Sequence, residues 1–371
     1  MTLAPDVTEC EALLASIDTG RALPSDWYTD PALYRREVDR IHRRAWHYVT
    51  HVGDLAEPGD QFLWQIAGVP IVLVRDRSGE LRGFVNICRH RGHPVVMEAG
   101  NRKVLQCHYH GWSYNLDGGL LRAPRSQMEP EFDTSELGLV PVQTYVWGPM
   151  VWVNVDPGAP SFPEWIEGMP ELMRERGCDV SEFVHAFEHT WAIDSNWKVF
   201  QDNTIECYHC PTTHRDLCKA LVMDPREQIL GIGGRYWIHH RIPFHDEYAA
   251  RLTDKFVPGE PWFYYYNWIF PTTYLQHYGR GFDIGTLEVL GVDRMRFRHI
   301  VFLSPGTPEE ELSAGHRRLV VDTTIQEDVE ICGRVQQAHA AGIAPPGRLL
   351  PTSEFLVQHF QRLVVEMVAA P

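Results

Sequence analysis

The chain lacks long apolar runs, an excess of basic residues and a recognisable secretion signal. No apolar stretch reaches the roughly 18 residues of a membrane-spanning helix, and acidic residues stand where a signal peptide is basic. Lys and Arg total 34 against 49 Asp and Glu, a net charge of −15, and no basic run could follow a phosphate backbone. We therefore expect a cytoplasmic protein that binds neither membranes nor nucleic acids.

A dinucleotide-binding fingerprint is also missing. The glycine-rich stretch LGIGGRY, residues 230–236, does not have the Gly-x-Gly-x-x-Gly spacing. We therefore do not expect NADH or flavin to bind this chain. Eight cysteines are present, and in a chain of 371 residues without a secretion signal we expect them to be thiols or metal ligands rather than disulfides.

Two changes of composition divide the chain. The first segment carries one clear helix, with Asp30 able to cap it and Pro31 in its first turn. Short β-rich runs punctuated by Gly, Pro and Asp follow, and the proline-rich stretch PGAPSFPEW is typical of a linker before a region of mixed strands and helices. We predict an α+β protein with a helical segment (1–44), an all-β domain (45–157) and a C-terminal domain (158–371).

Two short boxes in the β-rich region contain metal-ligand residues. Cys88 and His90 form a Cys-x-His box, and after sixteen intervening residues Cys107 and His110 form a Cys-x-x-His box. Two thiolates and two imidazoles could hold one tetrahedral zinc ion. They could instead hold a 2Fe-2S cluster of Rieske type, with both cysteines on one iron and both histidines on the other. Because each loop contributes one Cys and one His, the spacing favours the cluster.

A second group of ligand residues follows in NWKVFQDNTIECYHCPTTH. We predict a helix here, capped by Asp194 or Ser195, with Glu206 and His209 on one face. The break at Pro211 can turn His214 back toward His209. Two histidines that reach one point need only a carboxylate to form the facial triad that binds Fe(II), although such pairs are also typical of zinc sites or of ordinary polar residues.

Together the two groups resemble the α subunit of the Rieske non-haem iron oxygenases. The family motif Asp/Glu-x-Tyr-His-x4-His is filled by Glu206, Tyr208, His209 and His214. His93 and Tyr109 occupy the positions at which respiratory Rieske proteins have an extra cysteine pair, so the boxes resemble the oxygenase version. The resemblance implies an all-β Rieske domain, followed by a catalytic domain whose antiparallel sheet is covered by helices, in the helix-grip or START-like manner.

The resemblance also implies a role for each motif residue. Cys88, His90, Cys107 and His110 would hold the cluster, and His209 and His214 would bind the mononuclear iron. Asp328 would be the third iron ligand, with Glu327 and Glu330 as competitors whose other interpretation is an acidic first helical turn. Glu206 would bridge a cluster histidine, His110, to His209. From its position one turn before Glu206, Asn203 is predicted either to extend the hydrogen-bond path or to satisfy local backbone groups. We interpret Cys207 and Cys210 as packing residues.

The function that the resemblance implies is that of a terminal oxygenase with O2 as co-substrate. An oxidised substrate supplies only part of the electrons that reduce dioxygen, so the resemblance implies that NADH acts through a partner reductase, with or without a ferredoxin. It also implies a homotrimer.

The aromatic runs WFYYYNWIF (262–270) and TTYLQHY (272–278) are either core strands or the wall of a pocket. The motif most resembles the choline, glycine betaine and carnitine monooxygenases, so we favour hydroxylation or oxidative dealkylation of a quaternary ammonium compound. Oxidation of an aromatic compound is the alternative, and a stand-alone Rieske electron carrier is the alternative from another class.

Overall fold

The described residues form two compact units. The computed structural model describes residues 7–129, 131–252, 259, 261–279, 281–307 and 317–370. The smaller unit comprises residues 43–162, and the larger one comprises the described residues before 43 and after 162. Within these ranges no helix has both the length and the apolar character needed to cross a membrane.

The smaller unit is built from antiparallel strands. Seven of its strands form one sheet in the order β1-β10-β9-β4-β3-β2-β5, and three short ones form a second sheet in the order β6-β7-β8. The strands are β1 (His47–His51), β2 (Asp60–Ile66), β3 (Val69–Arg75), β4 (Leu81–Val85), β5 (Gly100–Asn101), β6 (Leu105–Gln106), β7 (Ser113–Tyr114), β8 (Leu120–Arg122), β9 (Pro141–Trp147) and β10 (Met150–Asn154).

Strand β3 lies between two apolar cores. Val72 and Val74 pack into one core and Ile71 and Leu73 into the other, and all four are fully buried. This alternation explains why the sequence of β3 is an uninterrupted apolar run, since both faces of the strand are covered. The core of Val72 and Val74 also contains Cys88 and Cys107, so it supports the two ligand loops.

The larger unit contains a seven-stranded antiparallel sheet. Its order is β11-β17-β16-β15-β14-β13-β12, so each strand from β12 to β17 pairs with the next along the chain and β11 adds to the edge at β17. The strands are β11 (Val184–Ile193), β12 (Ile229–Gly234), β13 (Trp237–Pro243), β14 (Phe263–Ile269), β15 (Thr273–Tyr278), β16 (Gly281–Gly291) and β17 (Arg294–Leu303).

Helices pack against this sheet. The described α-helices are α1 (Val7–Asp18), α2 (Pro31–Glu37), α3 (Phe162–Trp165), α4 (Met169–Glu175), α5 (Trp197–Thr204), α6 (Cys210–Thr213), α7 (Leu217–Ala220), α8 (Asp246–Leu252), α9 (Ile325–Ala340) and α10 (Phe355–Ala369). Single 3-10 turns lie at Ser25–Tyr28, Val52–Leu55, Ser126–Met128 and Val180–Glu182, and π-helical segments lie at Val38–His42 and Arg317–Thr324. Helix α9 contacts β11, and α10 contacts β12 as well as α1 and α5. The predicted α+β class is confirmed, with an antiparallel sheet and covering helices.

The local signals at the helix starts were partly right. Helix α2 begins as predicted, because the Asp30 carboxylate accepts a hydrogen bond of 2.6 Å from the backbone N–H of Ala32 and Pro31 is the first helical residue. The predicted cap of α5 is wrong. Neither Asp194 nor Ser195 caps this helix; the side chain of Asn196 accepts from the backbone N–H of Lys198 at 3.0 Å.

A buried polar network fastens α5 to the N-terminal segment. The Lys198 ammonium lies 2.6 Å from Glu37 Oε1, and both side chains are fully buried. The indole N–H of Trp197 donates to Glu37 Oε2 at 2.8 Å. One turn further on, Asp202 accepts from the hydroxyl of Tyr28 at 2.6 Å and from Gln361 at 3.1 Å. These bonds hold the helix that leads into the Glu206–His214 motif.

Candidate metal centres

The two loops with the Cys and His boxes have the same backbone design. The N–H of Cys88 donates to the carbonyl of His93 and the N–H of Gly92 to that of Cys88, at 2.8 and 3.0 Å. In the second loop the same bonds join Cys107 to Trp112 and Gly111 to Cys107, at 2.9 and 3.1 Å. Both glycines have positive φ, 78° and 73°, a conformation that glycine adopts without steric cost. The repeated turn therefore presents the two cysteines in an equivalent way, whereas His90 follows its cysteine by two positions and His110 by three.

The four side chains separate into a buried end and an exposed end. Cys88 and Cys107 are buried, while His90 and His110 are exposed with ring centroids 4.5 Å apart. The donor set, with one thiolate end and one imidazole end, fits the two irons of a Rieske cluster.

Neighbouring aromatic residues surround these ligands. The Tyr114 hydroxyl lies 3.3 Å from Cys88 Sγ and accepts a hydrogen bond from the backbone N–H of Arg89 at 3.0 Å, so it is placed to donate to a thiolate. Burial is the largest cause that raises the pKa of Tyr114, which keeps the phenol protonated. Trp112 stacks on His90 at 4.9 Å. Tyr114 was not predicted as a site residue, although its place two residues after Trp112 on a short strand was a signal.

His209, His214 and Asp328 converge on one point. His214 Nε2 lies 3.1 Å from His209 Nε2 and 3.1 Å from Asp328 Oδ1, and the third side of the triangle measures 3.6 Å. Three ligands at right angles and about 2.1 Å from one ion are about 3.0 Å apart, so the triangle fits a facial triad. The one-turn helix α6 makes this possible, because the N–H of His214 donates to the carbonyl of Cys210 at 2.8 Å.

Glu206 and His209 meet without sharing a helix, contrary to the expectation from their spacing. Helix α5 ends at Thr204. Beyond it, Glu206 Oε2 accepts from the backbone N–H groups of Tyr208 and His209, the latter at 3.2 Å. A side chain that binds the following N–H groups replaces the helical pattern with a turn. Oε1 of the same carboxylate still reaches His209 Nδ1 at 2.5 Å.

Each side chain of the triad is held by a second polar group. Glu206 holds His209, and Glu327 Oε2 lies 2.7 Å from His214 Nδ1. The amide of Asn203 donates to Asp328 Oδ1 at 2.7 Å. Carboxylates on the outer nitrogen of a metal-binding histidine orient the ring and raise its basicity. The sequence predicted Glu327 only as a competitor of Asp328 for the iron, and its position next to Asp328 was the only indication that it lies near the site. Glu330, the other competitor, pairs instead with the exposed Arg334.

The triad attracts positive charge. Burial disfavours protonation of His209, but its contacts with Asp328 and Glu206 outweigh burial and raise its pKa to about 10. The pKa of His214 is raised in the same way, against burial, mainly by Asp328. Burial would raise the pKa of Asp328, and the two histidines instead lower it. A divalent cation that replaces these protons therefore suits the site.

Cys210 offers the triad a competing ligand. Its thiol lies 3.9 Å from His209 Nε2, and the donor atoms of His209, Cys210 and His214 all lie within 4.8 Å of one another. A hydrogen bond with Cys207 is the largest cause, followed by burial, that raises the pKa of Cys210 well above its ordinary value. A protonated thiol is a weak ligand, whereas Asp328 is ionised, so Asp328 is the better third donor.

Comparison with known protein families identifies both units. Residues 180–370 match the family described as ring hydroxylating alpha subunit (catalytic domain), and residues 45–145 match the Rieske 2Fe-2S domain. The chain is a Rieske oxygenase α subunit. The predicted enzyme class is confirmed, and so are the predicted cofactors of the family, a Rieske cluster and a mononuclear iron. A stand-alone Rieske carrier does not need a catalytic domain, so that alternative is wrong.

Relatives with known activities cover most of this oxygenase. It is 28% identical over 345 residues to choline monooxygenase of Spinacia oleracea, which covers 91% of this chain and 76% of the relative. It is 31% identical over 278 residues to the carnitine monooxygenase oxygenase subunit of Escherichia coli (strain K12), which covers 74% of this chain and 72% of the relative.

Solved structures share the fold of this oxygenase. The quaternary ammonium Rieske monooxygenase CntA in complex with L-carnitine superposes with a TM-score of 0.80 at 22% identity, over 95% of this chain and 97% of that one. Naphthalene 1,2-dioxygenase from Rhodococcus sp. bound to indole superposes with a TM-score of 0.80 at 19% identity, over 98% of each chain. At these identities the likeness shows the fold.

A cavity of about 720 Å³ in this Rieske oxygenase contains the triad in its wall. Strand alternation decides which aromatic residues reach it, because Tyr264 and Tyr266 of β14 line the cavity and Tyr265 between them does not. Tyr274 and Tyr278 of β15 line it in the same way. The aromatic runs are therefore both core strands and a pocket wall, so the two interpretations left open by the sequence apply to alternate residues.

Proposed function

We propose that this chain is the terminal oxygenase component that uses O2 and electrons from a separate reductase to hydroxylate or oxidatively dealkylate a quaternary ammonium compound. The observation that carries the proposal is the cavity that joins the tyrosines of β14 and β15 to His209, His214 and Asp328. The relatives named for choline and carnitine support this class of substrate.

The tyrosine wall suits a cation that cannot donate hydrogen bonds. Burial is the largest cause that raises the pKa values of Tyr264, Tyr274 and Tyr278 well above their ordinary values, so the rings stay neutral. The hydroxyl of Tyr278 donates to the buried Asp283 at 2.8 Å, which makes the ring richer in electrons. Each ring face in contact with a quaternary ammonium contributes about 0.5–2 kcal/mol. Several such faces can therefore bind a trimethylammonium group without an ion pair.

We propose His209, His214 and Asp328 as the ligands of Fe(II). When bound, the iron supplies the redox chemistry that activates O2, and a triad on one face leaves positions open for it. Glu206 and Glu327 keep the two imidazole rings oriented through their Nδ1 atoms, at 2.5 and 2.7 Å. The ligand roles rest on this geometry and on the charge of the site.

We propose Cys88, His90, Cys107 and His110 as the cluster ligands, and Glu206 as the bridging carboxylate between His209 and His110 of a neighbouring subunit. A homotrimer would provide that neighbour, and electrons would reach the cluster from a reductase outside the chain. We further propose that residues 45–157 form the cluster domain and residues 158–371 the iron domain, with residues 1–44 packed on the latter. The two compact units support this division. A cytoplasmic location remains our prediction.

The test is oxygen consumption by the iron-loaded enzyme with a surrogate reductase. We expect consumption that depends on a trimethylammonium compound and yields one oxidised product per O2. Simple aromatic compounds form the second arm, because an aromatic cavity also admits a flat ring. Coupled turnover of an aromatic compound, with no response to any trimethylammonium compound, would overturn the proposal in favour of an aromatic oxygenase.

A further inference from the structure

Among the described residues of the cavity wall, two side chains are cationic, and they differ in their partners. Lys219 lies 2.5 Å from Asp216, which also lines the cavity, so its charge is compensated. Arg251 lies with its guanidinium 5.4 Å from the ring centre of Tyr248, and in the described part of the chain it has no carboxylate within salt-bridge distance. Arg251 is therefore a cation available to a ligand.

Two carboxylates of the wall, Glu206 and Asp328, have histidine partners. Glu206 holds His209, and Asp328 contacts both histidines of the triad. A ligand carboxylate at the triad would meet these two carboxylates, whereas at Arg251 it would meet an arginine and an aromatic ring. The charges of the wall thus distinguish Arg251 from the triad.

Arg251 and the triad belong to different elements of the same cavity wall. Arg251 and Tyr248 lie on α8, and Tyr248 packs with Tyr264 and Tyr278 on the core of Ala220, Leu221 and Phe244. Burial is the largest cause that raises the pKa of Tyr266, and Asp328 of the triad adds to it. The metal ligands, these tyrosines and Arg251 therefore line one cavity.

We infer that Arg251 binds the carboxylate of a zwitterionic substrate, so that the substrate is a trimethylammonium carboxylate rather than a trimethylammonium alcohol. The inference rests on the proposed function, since oxidation next to nitrogen requires the ammonium end to face the triad. The carboxylate is then free to reach Arg251 in the wall of the same cavity. The planar guanidinium pairs with a carboxylate through two parallel hydrogen bonds, a geometry that an alcohol cannot use.

The test compares two ligands of equal length, 4-(trimethylammonio)butanoate and 4-(trimethylammonio)butan-1-ol. Their dissociation constants are measured by calorimetry on the wild-type holoenzyme and on Arg251→Gln. We expect the wild type to bind the carboxylate about tenfold more tightly than the alcohol, because Arg251 is exposed and water weakens its pairing. Arg251→Gln should lower the affinity for the carboxylate about tenfold and leave that for the alcohol unchanged, and Arg251→Lys should lie between.

The control is Arg226→Gln, which removes the same charge from an exposed pair with Asp224 away from the cavity. It should bind both ligands as the wild type does. Equal losses for both ligands in Arg251→Gln, or a wild type that prefers the alcohol, would overturn the inference and leave the proposed function standing. Failure of the wild type to bind either ligand would instead overturn the proposed function.

Discussion

The buried pair of Glu37 and Lys198 gives the sharpest stability prediction. The two charged groups lie 2.6 Å apart with both side chains fully buried, and they join the end of α2 to the start of α5. Glu37→Gln keeps the shape of the side chain but removes its charge. Burial lowers the pKa of Lys198 and Glu37 opposes that effect, so the variant leaves an ammonium without its closest countercharge.

The expected loss follows from the distance and the burial. At an effective dielectric constant of about 20, two unit charges 2.6 Å apart attract by about 6 kcal/mol, and desolvation offsets part of this attraction. Removal of one partner of a buried pair costs about 3–5 kcal/mol. Asp202 also interacts with Lys198 and can supply part of the missing countercharge. We therefore expect a cost of about 3 kcal/mol, at the low end of that range.

Scanning calorimetry of the iron-loaded protein measures this effect. A loss of about 3 kcal/mol should lower the Tm of the larger unit by on the order of 10 °C. The double variant Glu37→Gln with Lys198→Met should recover most of the loss, since no charge remains unpaired. Glu171→Gln is the control, because it breaks an exposed pair with Arg174 and should cost less than about 1 kcal/mol. A Glu37→Gln variant as stable as this control would refute the reasoning.

Three further predictions concern the site and its support. Glu206→Gln should retain the iron of both centres yet lose substrate-coupled oxygen uptake, and normal coupled turnover in this variant would refute the bridge. Burial raises the pKa of Asp202 to about 7, so its ionisation destabilises the fold as pH rises from about 4 to 7. Asp202→Asn should remove this pH-dependent loss of up to about 4 kcal/mol in the free energy of unfolding, as measured by thermal denaturation between about pH 4 and 7. Parallel pH profiles of the wild type and the variant would contradict the assignment. Asn203→Ala frees Asp328 Oδ1 and should weaken iron binding about 10–100-fold in a chelator competition, whereas unchanged affinity would show that this hydrogen bond is dispensable.

Local spacing predicted those features that depend on a single turn of chain. The two Cys and His boxes lie on equivalent turns that end in Gly92 and Gly111, and the sequence shows both glycines. The one-turn helix after Pro211 brings His214 to His209 as the spacing indicated. The sequence also showed which side chains of β14 share one face of the strand, but not which of the two faces lines the cavity. That choice depends on what packs on each face of the sheet.

The same local logic failed where a side chain competes with the backbone. The spacing of Glu206 and His209 indicated one helical face, but Glu206 binds the N–H groups that a helix would use, and the helix ends at Thr204. The separate roles of Asp328 and Glu327 could not be told from their adjacent positions. Only the packing of α9 beside the Glu206–His214 motif directs Asp328 to the triad and Glu327 to the outer nitrogen of His214.

The sequence by itself indicated the fold class, the family and the residue types proposed for both metal centres, because the short spacings of the two ligand groups resemble the motifs of the family and periodicity marks the strands and helices. The tertiary structure decided the partners that lie far apart in the chain. Glu37 meets Lys198 across 161 positions and His214 meets Asp328 across 114, and no local pattern records such pairings. It also decided that Arg251 and the triad share one cavity. Those contacts form only when the helices pack on the sheet, because burial and not sequence distance selects them.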